Sequence, residues 1–197
     1  MTMYLLMRYQ TMFTNTRESY GIVAIVMHWL SALAVIGLFA LGYWMLTLGY
    51  YDSWYRLGPW WHKSFGITLL ALTVIRLVWK FMNPKPQPLG SRFDQIGARV
   101  GHALIYALLL VTMISGYLIS TADGRGISVF DWFEVPALIT SIPQQEDIAG
   151  TVHWYTALTL VIAAAGHALA ALKHHFVNKD STLTRMLVVK RSDSNND

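Results

Sequence analysis

Four of the seven histidines lie in or at the ends of long apolar stretches: His28, His62, His153 and His167. An ionisable side chain inside a membrane segment is costly, so it is usually kept for a function. Imidazole binds transition metals and haem iron, and it also carries protons near neutral pH. These residues therefore predict either a metal- or haem-dependent redox site or a proton relay.

The spacing of these histidines sorts them into two pairs. His153 and His167 are 14 residues apart. A helix brings such residues to within about 40° of one face and separates them by about 21 Å. His62 begins the second apolar stretch at the depth of His153, and His28 lies a few residues into the first, at the depth of His167. Two pairs on different helices predict two haems, one near each membrane face.

Three other interpretations remain open at this stage. A single membrane histidine is about as often a hydrogen-bonding partner of a neighbouring helix as a ligand, although four histidines matched in depth are harder to explain in that way. A metal-only site is disfavoured because no carboxylate joins either pair. A haem-free transporter that uses the histidines as proton relays is also compatible with the sequence.

The composition is that of a membrane protein. Of the 197 residues, 54% are hydrophobic and 13% are charged, against about 25% charged in soluble domains. The net charge of +4 does not indicate nucleic-acid binding, because the basic residues cluster at the ends of the apolar segments. The absence of cysteine excludes disulfides, iron–sulfur clusters and covalent haem attachment. Axial ligands and packing must therefore hold any haem.

Four segments are long and apolar enough to cross a bilayer, at about 22–48, 62–82, 100–121 and 151–173. They predict an all-α, membrane-embedded four-helix bundle over residues 21–186. Residues 1–20 are predicted to form an N-terminal cytoplasmic segment and residues 187–197 a flexible tail. Residues 127–142 are too interrupted to span the membrane and are expected to lie on the outer surface as a short amphipathic segment.

The distribution of basic residues predicts the orientation. With both termini inside, the inner side holds 12 of the 15 basic residues, and the outer side holds only Arg56, Lys63 and Arg125. The positive-inside rule then places both termini in the cytoplasm, with the spans in contact with lipid.

Two basic residues and the third-span histidine are candidate contacts for a haem propionate or a quinone. Arg76 follows His62 by 14 residues, and a guanidinium suits a carboxylate, although a snorkelling arginine that fixes topology is equally compatible. Lys63 adjoins His62 and is the corresponding candidate for a propionate or quinone contact at the outer end. His102 lacks an obvious opposite ligand, so a surface or quinone-site role is favoured over ligation.

Two further histidines follow the fourth span. His174 and His175 come directly after Lys173, where interfacial residues are expected. His174 lies seven residues beyond His167 on the same face and is the reserve candidate for the inner ligand.

The residues around these histidines resemble those of the bacterial cytochrome b561 family, from about Arg17 to Met186. The motifs that carry the resemblance are Val26-Met27-His28-Trp29-Leu30, Trp61-His62-Lys63-Ser64-Phe65-Gly66, Gly101-His102-Ala103-Leu104-Ile105-Tyr106, Val152-His153-Trp154 and Gly166-His167-Ala168. The resemblance implies two non-covalent b haems with His28, His62, His153 and His167 as axial ligands. It also implies electron exchange with quinone, and some members are thought to oxidise superoxide at the outer face.

The charge of the outer segments bears on the electron donor. They hold six acids against three basic residues, a net charge of −3, which weakens electrostatic steering of superoxide. A periplasmic electron carrier is the alternative partner. A haem-bearing anchor subunit for a dehydrogenase or hydrogenase is the alternative role, and it would require a partner subunit. The sequence assigns no catalytic residue and leaves open whether the protein is an enzyme.

Overall fold

The structure, a computed structural model, describes residues 12–189 and consists mainly of four long helices. They are α1 (Ile22–Met45), α2 (Trp54–Met82), α3 (Arg92–Ser120) and α4 (Gln145–Phe176). Each contains a stretch with a mean hydropathy between 1.7 and 2.3, which is long and apolar enough to cross a membrane. The prediction of four spans is confirmed. Most of the predicted N-terminal segment and of the flexible tail, residues 1–11 and 190–197, lies outside the described residues.

Three of the helices begin earlier than hydropathy alone predicts. α3 begins at Arg92 because a capping box precedes it: the Asp94 backbone N–H donates to Ser91 Oγ, and Ser91 N–H donates to Asp94 Oδ2. α2 begins at Trp54 and accommodates Pro59 in its second turn. α4 begins at Gln145. These first turns contain polar residues, so they fall outside an apolar window although their backbone is helical.

The helices pack mainly in two pairs, α3 with α4 and α1 with α2. Leu69, Leu109, Met113 and Leu160 form the buried apolar cluster. Small polar side chains are also buried, and the hydroxyls of Ser31, Thr73 and Thr121 each donate to the carbonyl four residues earlier. The outer surfaces of the helices expose many large apolar side chains, as expected where lipid covers them.

A β-hairpin follows α3. Strands β1 (Ile127–Val129) and β2 (Phe133–Val135) pair antiparallel, and Phe130 and Asp131 form the turn with positive φ angles of 51° and 59°. The hairpin is fixed to α2, because Phe130 N–H donates to Ser64 Oγ and Trp60 Nε1–H donates to Asp131 Oδ1. The all-α prediction is therefore wrong for this connection, where the amphipathic segment was expected. We call this end of the bundle the hairpin end.

The opposite end, which we call the tail end, brings together three segments that lie outside the four long helices: residues 12–21, 83–91 and 177–189, the last of which contains a 3-10 helix (Thr184–Met186). Asn15 Nδ2 donates to the Pro84 carbonyl, and Gln87 N–H donates to the Arg17 carbonyl. The Arg185 guanidinium donates to the carbonyl of Gln87. The chain before α1 and the chain after α4 are therefore both tied to the proline-rich connector between α2 and α3.

Candidate functional site

At the hairpin end, α2 and α4 bring His62 and His153 together, with ring centres 6.1 Å apart and ring planes at 73° to one another. His153 Nδ1–H donates to the Thr112 carbonyl over 2.8 Å, which leaves Nε2 as the free lone pair. His62 Nδ1 is buried and makes no well-formed hydrogen bond to the described residues, although the Leu38 carbonyl lies near the ring. The two imidazoles thus meet with ring nitrogens available for a ligand.

Two glycines make room for these rings. A Cβ atom on Gly42 would lie 3.1 Å from Cε1 of His62, and one on Gly116 would lie 3.0 Å from Cε1 of His153. Contacts of this length are tighter than most Cβ contacts, so a side chain at either position would force the imidazole ring to shift, and the two backbones form part of the imidazole seats. The sequence analysis missed both glycines.

At the tail end, α1 and α4 bring His28 and His167 together with ring centres 6.2 Å apart. Arg76 Nη2 donates to His28 Nδ1 over 2.8 Å. The guanidinium also lies over the Tyr106 ring, 5.4 Å from its centre, and the Lys80 ammonium lies 4.6 Å from the same ring. Arg76, predicted to face this end, therefore lies directly on a candidate ligand.

His102 joins the tail-end cluster as a third imidazole. Its ring centre is 5.1 Å from that of His167. The sequence analysis found no opposite ligand for His102 and favoured a surface or quinone-site role, and the structure places it at an exposed position of α3 beside His167.

His174, the reserve candidate, faces carboxylates. Its Nδ1 lies 2.6 Å from Asp180 Oδ2, and its Nε2 lies 3.9 Å from Asp94 Oδ1. Burial raises the pKa of Asp180, but hydrogen bonds from Thr182 and His174 outweigh it and hold the pKa below the usual range. His174 therefore connects α4 to the N-terminus of α3 and to the following segment.

A cavity of about 240 Å³ opens at the hairpin end beside α2. Two of the three basic residues of this end, Lys63 and Arg125, line it together with Trp60, Ser120, Asp123, Gly126 and Ser128. Arg125 forms an ion pair with Asp123, and this hydrogen bond holds the pKa of Asp123 below its usual range. Lys63 has no ion-pair partner among residues 12–189.

The two facing pairs fit a metal ion held between imidazoles. A histidine nitrogen binds a metal at about 2 Å, and it lies about 1 Å from its ring centre, so two opposite ligands have ring centres roughly 6 Å apart. His62–His153 and His28–His167 meet this spacing. The 5.1 Å between His102 and His167 is too short for that arrangement.

Four membrane helices that carry facing imidazole pairs and no cysteine define a membrane protein of the cytochrome b class. The sequence profile described as prokaryotic cytochrome b561 matches residues 19–188. The chain belongs to the prokaryotic cytochrome b561 family, and the resemblance noted from the motifs is confirmed. It is a multi-pass protein of the bacterial inner membrane that binds b-type haem and serves electron transfer.

Three curated relatives extend over nearly the whole chain. "Cytochrome b561 homolog 2" of Escherichia coli K12 is 51% identical over 183 residues, covering 92% of this chain and 97% of that protein. "Probable superoxide oxidase CybB" of Yersinia pestis is 32% identical, covering 88% and 98% respectively. "Cytochrome b561 homolog 1" of Escherichia coli K12 is 28% identical, covering 83% and 93%.

Proposed function

We propose that the protein holds two b haems and passes electrons between the two membrane faces. His62 and His153 would hold the haem iron at the hairpin end, and His28 and His167 would hold it at the tail end. The observation that carries this proposal is the presence of two imidazole pairs with ring centres 6.1 and 6.2 Å apart. Bound haem supplies the one-electron chemistry, while the protein supplies ligands, orientation and charge.

The surrounding groups prepare the imidazoles for this role. The bond from His153 Nδ1–H to the Thr112 carbonyl fixes the tautomer and the ring orientation, as a partner behind a metal-bound histidine does. Gly42 and Gly116 keep side chains away from the rings. The protein therefore already holds the His153 ring in one orientation, with the lone pair on Nε2.

Arg76 is a half-buried cation with no carboxylate partner among residues 12–189. A buried charge without a counter-ion is unfavourable, and a guanidinium matches a carboxylate in shape. A haem propionate at the tail end would supply the missing anion.

We place quinone exchange at the tail end, close to His102, Tyr106 and Lys80. These side chains can donate hydrogen bonds or protons, and reduction of a quinone consumes both electrons and protons. Tyr20 lies just before α1 on this side, and burial raises the pKa of its phenol, which keeps it a donor. With the positive-inside rule, the tail end faces the cytoplasm and the hairpin end the periplasm.

Superoxide is the proposed electron donor at the hairpin end. Although this end is acidic as a whole, Lys63 and Arg125 line one cavity. Because Asp123 neutralises Arg125, Lys63 is the unpaired cation that lines this cavity and can attract an anion. Oxidation of superoxide to dioxygen releases one electron, which matches the one-electron capacity of a haem. One relative carries the name superoxide oxidase. A periplasmic electron carrier is the alternative donor.

The haem content tests the core of this proposal. Purified protein should yield two haems per chain in a pyridine haemochrome assay, extractable with acid acetone because no cysteine anchors them. One haem per chain, or none, would contradict the proposal.

The pairing is tested by single substitutions. His28→Ala and His167→Ala should remove the same haem, and His62→Ala and His153→Ala should remove the other, leaving one haem per chain with a distinct visible spectrum. His175→Ala, outside both pairs, is the control and should retain two. If His102→Ala removes a haem while His28→Ala leaves both, the tail-end assignment is wrong.

The donor is tested by reversing one charge. Lys63→Glu should slow haem reduction by superoxide and change its salt dependence, because steering acts over about 8–10 Å. Arg56→Glu makes the same change in charge at the same end but outside the cavity, so it should have a smaller effect. If the wild-type haems are reduced by a quinol and not by superoxide, superoxide is not the donor.

A further inference from the structure

The hairpin and the chain that follows it carry large apolar side chains that electron transfer does not use. Trp132, Phe133 and Leu138 are 82%, 56% and 78% exposed, and we call these three residues the apolar rim. Large apolar side chains that are exposed together in one short segment usually mark a contact with lipid or with another protein. The position of the apolar rim along the helix axes decides between these two partners.

The turn of the hairpin does not lie beyond the end of α2 but beside the helix. The Phe130 ring is 5.2 Å from that of Phe65 and 5.5 Å from that of Trp132, measured between ring centres. Phe65 follows Trp54, the first residue of α2, by eleven residues, which is about 16 Å along the helix axis. Since the apolar stretch of α2 begins at about residue 62, the turn lies at the boundary of the hydrocarbon core.

The chain after the hairpin also runs beside a helix. Leu138 N–H donates to Tyr117 Oη over 2.8 Å, and this hydroxyl donates to the Pro136 carbonyl over 2.7 Å. Tyr117 belongs to the last turn of α3, which ends at Ser120, and it falls within the apolar stretch at 100–121. Two bonds to a residue at this depth hold Leu138 at the same boundary of the hydrocarbon core.

The two strands of the hairpin have one apolar and one polar face. Val129 pairs with Phe133 and therefore shares a face with it, whereas Ser128 pairs with Glu134 on the opposite face. Val129 is 1% exposed because β1 packs against α2. Phe133 has the same direction but is exposed, so it extends past the helix towards the surface that lipid covers.

We propose that the hairpin is seated in the membrane interface at this end of the bundle, with the apolar rim in contact with lipid. Trp132 and Phe133 lie at the depth where aromatic side chains are enriched in membrane proteins. The apolar surface also continues from the lipid-facing side of α2, since Phe65 is 46% exposed and contacts Phe130, which contacts Trp132. This contact with lipid depends neither on the number of haems nor on the electron donor.

Charge and polarity describe the contact more closely. The charged residues of the hairpin, Asp131 and Glu134, are both acidic, so the hairpin binds lipid through apolar surface and not through attraction to anionic headgroups. Its polar face has a different neighbour, because Ser128 lines the cavity that contains Lys63. Seated in this way, the hairpin separates that cavity from the acyl chains, and the strongly hydrated Lys63 ammonium stays in contact with water.

Spin labels on single cysteines test the contact, because the chain contains no cysteine of its own. Trp132→Cys, Phe133→Cys and Leu138→Cys are each labelled with a nitroxide in the full-length, haem-loaded protein in liposomes of phosphatidylethanolamine and phosphatidylglycerol. Electron spin echoes then detect deuterium close to each label, supplied either as D2O or as lipid with deuterated acyl chains. All three labels should detect the acyl chains more strongly than water. Gel filtration in detergent verifies that each variant folds, and the three positions report independently of one another.

Matched controls define the two limits of this measurement. Glu134→Cys, next to Phe133 but on the opposite face, should detect mainly water, as should Tyr51→Cys, which is 98% exposed in the loop before α2. Ile162→Cys, 64% exposed within α4, should detect mainly acyl chains. The proposal is overturned if the labels of the apolar rim detect water as strongly as the label of Glu134→Cys does. It is also overturned if they detect neither source of deuterium, and disulfide-linked dimers of Trp132→Cys would then identify a second copy of the chain as the cover.

Discussion

The two ends of the bundle are built from equivalent positions of the same four helices, 14 residues apart in each helix. At the hairpin end these residues are Gly42, His62, Gly116 and His153, and at the tail end they are His28, Arg76, His102 and His167. The hairpin end thus combines two imidazoles with two glycines, and the tail end combines three imidazoles with a guanidinium. The same four helices therefore provide a neutral site, in which glycines lie against the imidazole rings, and a cationic site, in which a guanidinium contacts an imidazole.

This difference has a chemical consequence for electron transfer. A positive charge stabilises the reduced form of a nearby redox centre, because reduction adds a negative charge. Arg76 contacts the tail-end pair, whereas the hairpin-end rings contact glycines and backbone carbonyls. The tail end should therefore have the higher reduction potential and receive electrons from the hairpin end.

The largest effect is expected from removing the space at the hairpin end. Gly116→Val places a branched side chain where even a Cβ atom would lie 3.0 Å from the His153 ring. We expect the hairpin-end haem to be lost and the tail-end haem to remain, measured as haems per chain. Gly101→Val in the same helix meets nothing within 4 Å of its added Cβ and should retain both. Equal haem content in the two variants would contradict the role of Gly116.

The second effect concerns the charge at the tail end. Arg76→Gln should lower the potential of the tail-end haem by roughly 50–100 mV, the value of a nearby unit charge in a partly screened site. Redox titration in detergent measures the shift. Lys80→Gln removes a charge at the same end that lies over the Tyr106 ring, whereas Arg76 bonds directly to His28, so the shift from Lys80→Gln should be smaller. If Arg76→Gln instead lowers the potential of the hairpin-end haem, the assignment of this charge to the tail-end site is wrong.

A third change makes the tail end more like the hairpin end. His102→Gly introduces at this position the residue that α3 carries at Gly116, 14 positions later. Both haems should be retained, with a shift of the tail-end potential smaller than that of Arg76→Gln, because a neutral imidazole is removed. His102→Ala avoids the helix cost of glycine, about 1 kcal/mol, and should behave alike. Loss of the tail-end haem in both variants would indicate that His102 is a haem ligand.

The smallest effect is expected at the contact between His174 and Asp180. Asp180→Asn should loosen residues 177–189, seen as faster amide exchange at pH 7, because it weakens the 2.6 Å contact with His174. The Asp180 pKa is lowered in the folded protein, so the stabilisation is present above the usual carboxyl range and is lost as pH falls through the lowered value. The amide-exchange rates of residues 177–189 should therefore become equal in wild type and variant in strong acid. Asp147→Asn, at the opposite end, is the control.

Much of the site could be predicted because a membrane helix makes polar residues conspicuous and makes spacing equivalent to depth. His153 and His167, and His62 and Arg76, were related by the same interval of 14 residues. That interval also relates His28 to Gly42 and His102 to Gly116. The glycines were missed because an absent side chain has no chemistry of its own, and its importance depends on the ring that a neighbouring helix brings against it.

The hairpin could not be predicted from local sequence. Its turn uses Phe130 and Asp131 at positive φ, where glycine or asparagine is the usual signal. Phe130 adopts this conformation beside Trp60, Trp61 and Phe65 and bonds to Ser64 through its backbone. These contacts join residues more than 60 positions apart, so they compensate for a conformation that the local sequence does not favour.

The interval of 14 residues also sets how the protein responds to voltage. It separates the two sites by about 21 Å along each helix, some two thirds of a hydrocarbon core about 30 Å thick. A charge that crosses the whole core changes its energy by about 2.3 kcal/mol per 100 mV. In the proposed orientation, with the tail end in the cytoplasm, an electron that moves from the hairpin end to the tail end therefore works against roughly 1.6 kcal/mol for each 100 mV of an inside-negative potential. The distribution of electrons between the two haems therefore depends on the membrane potential.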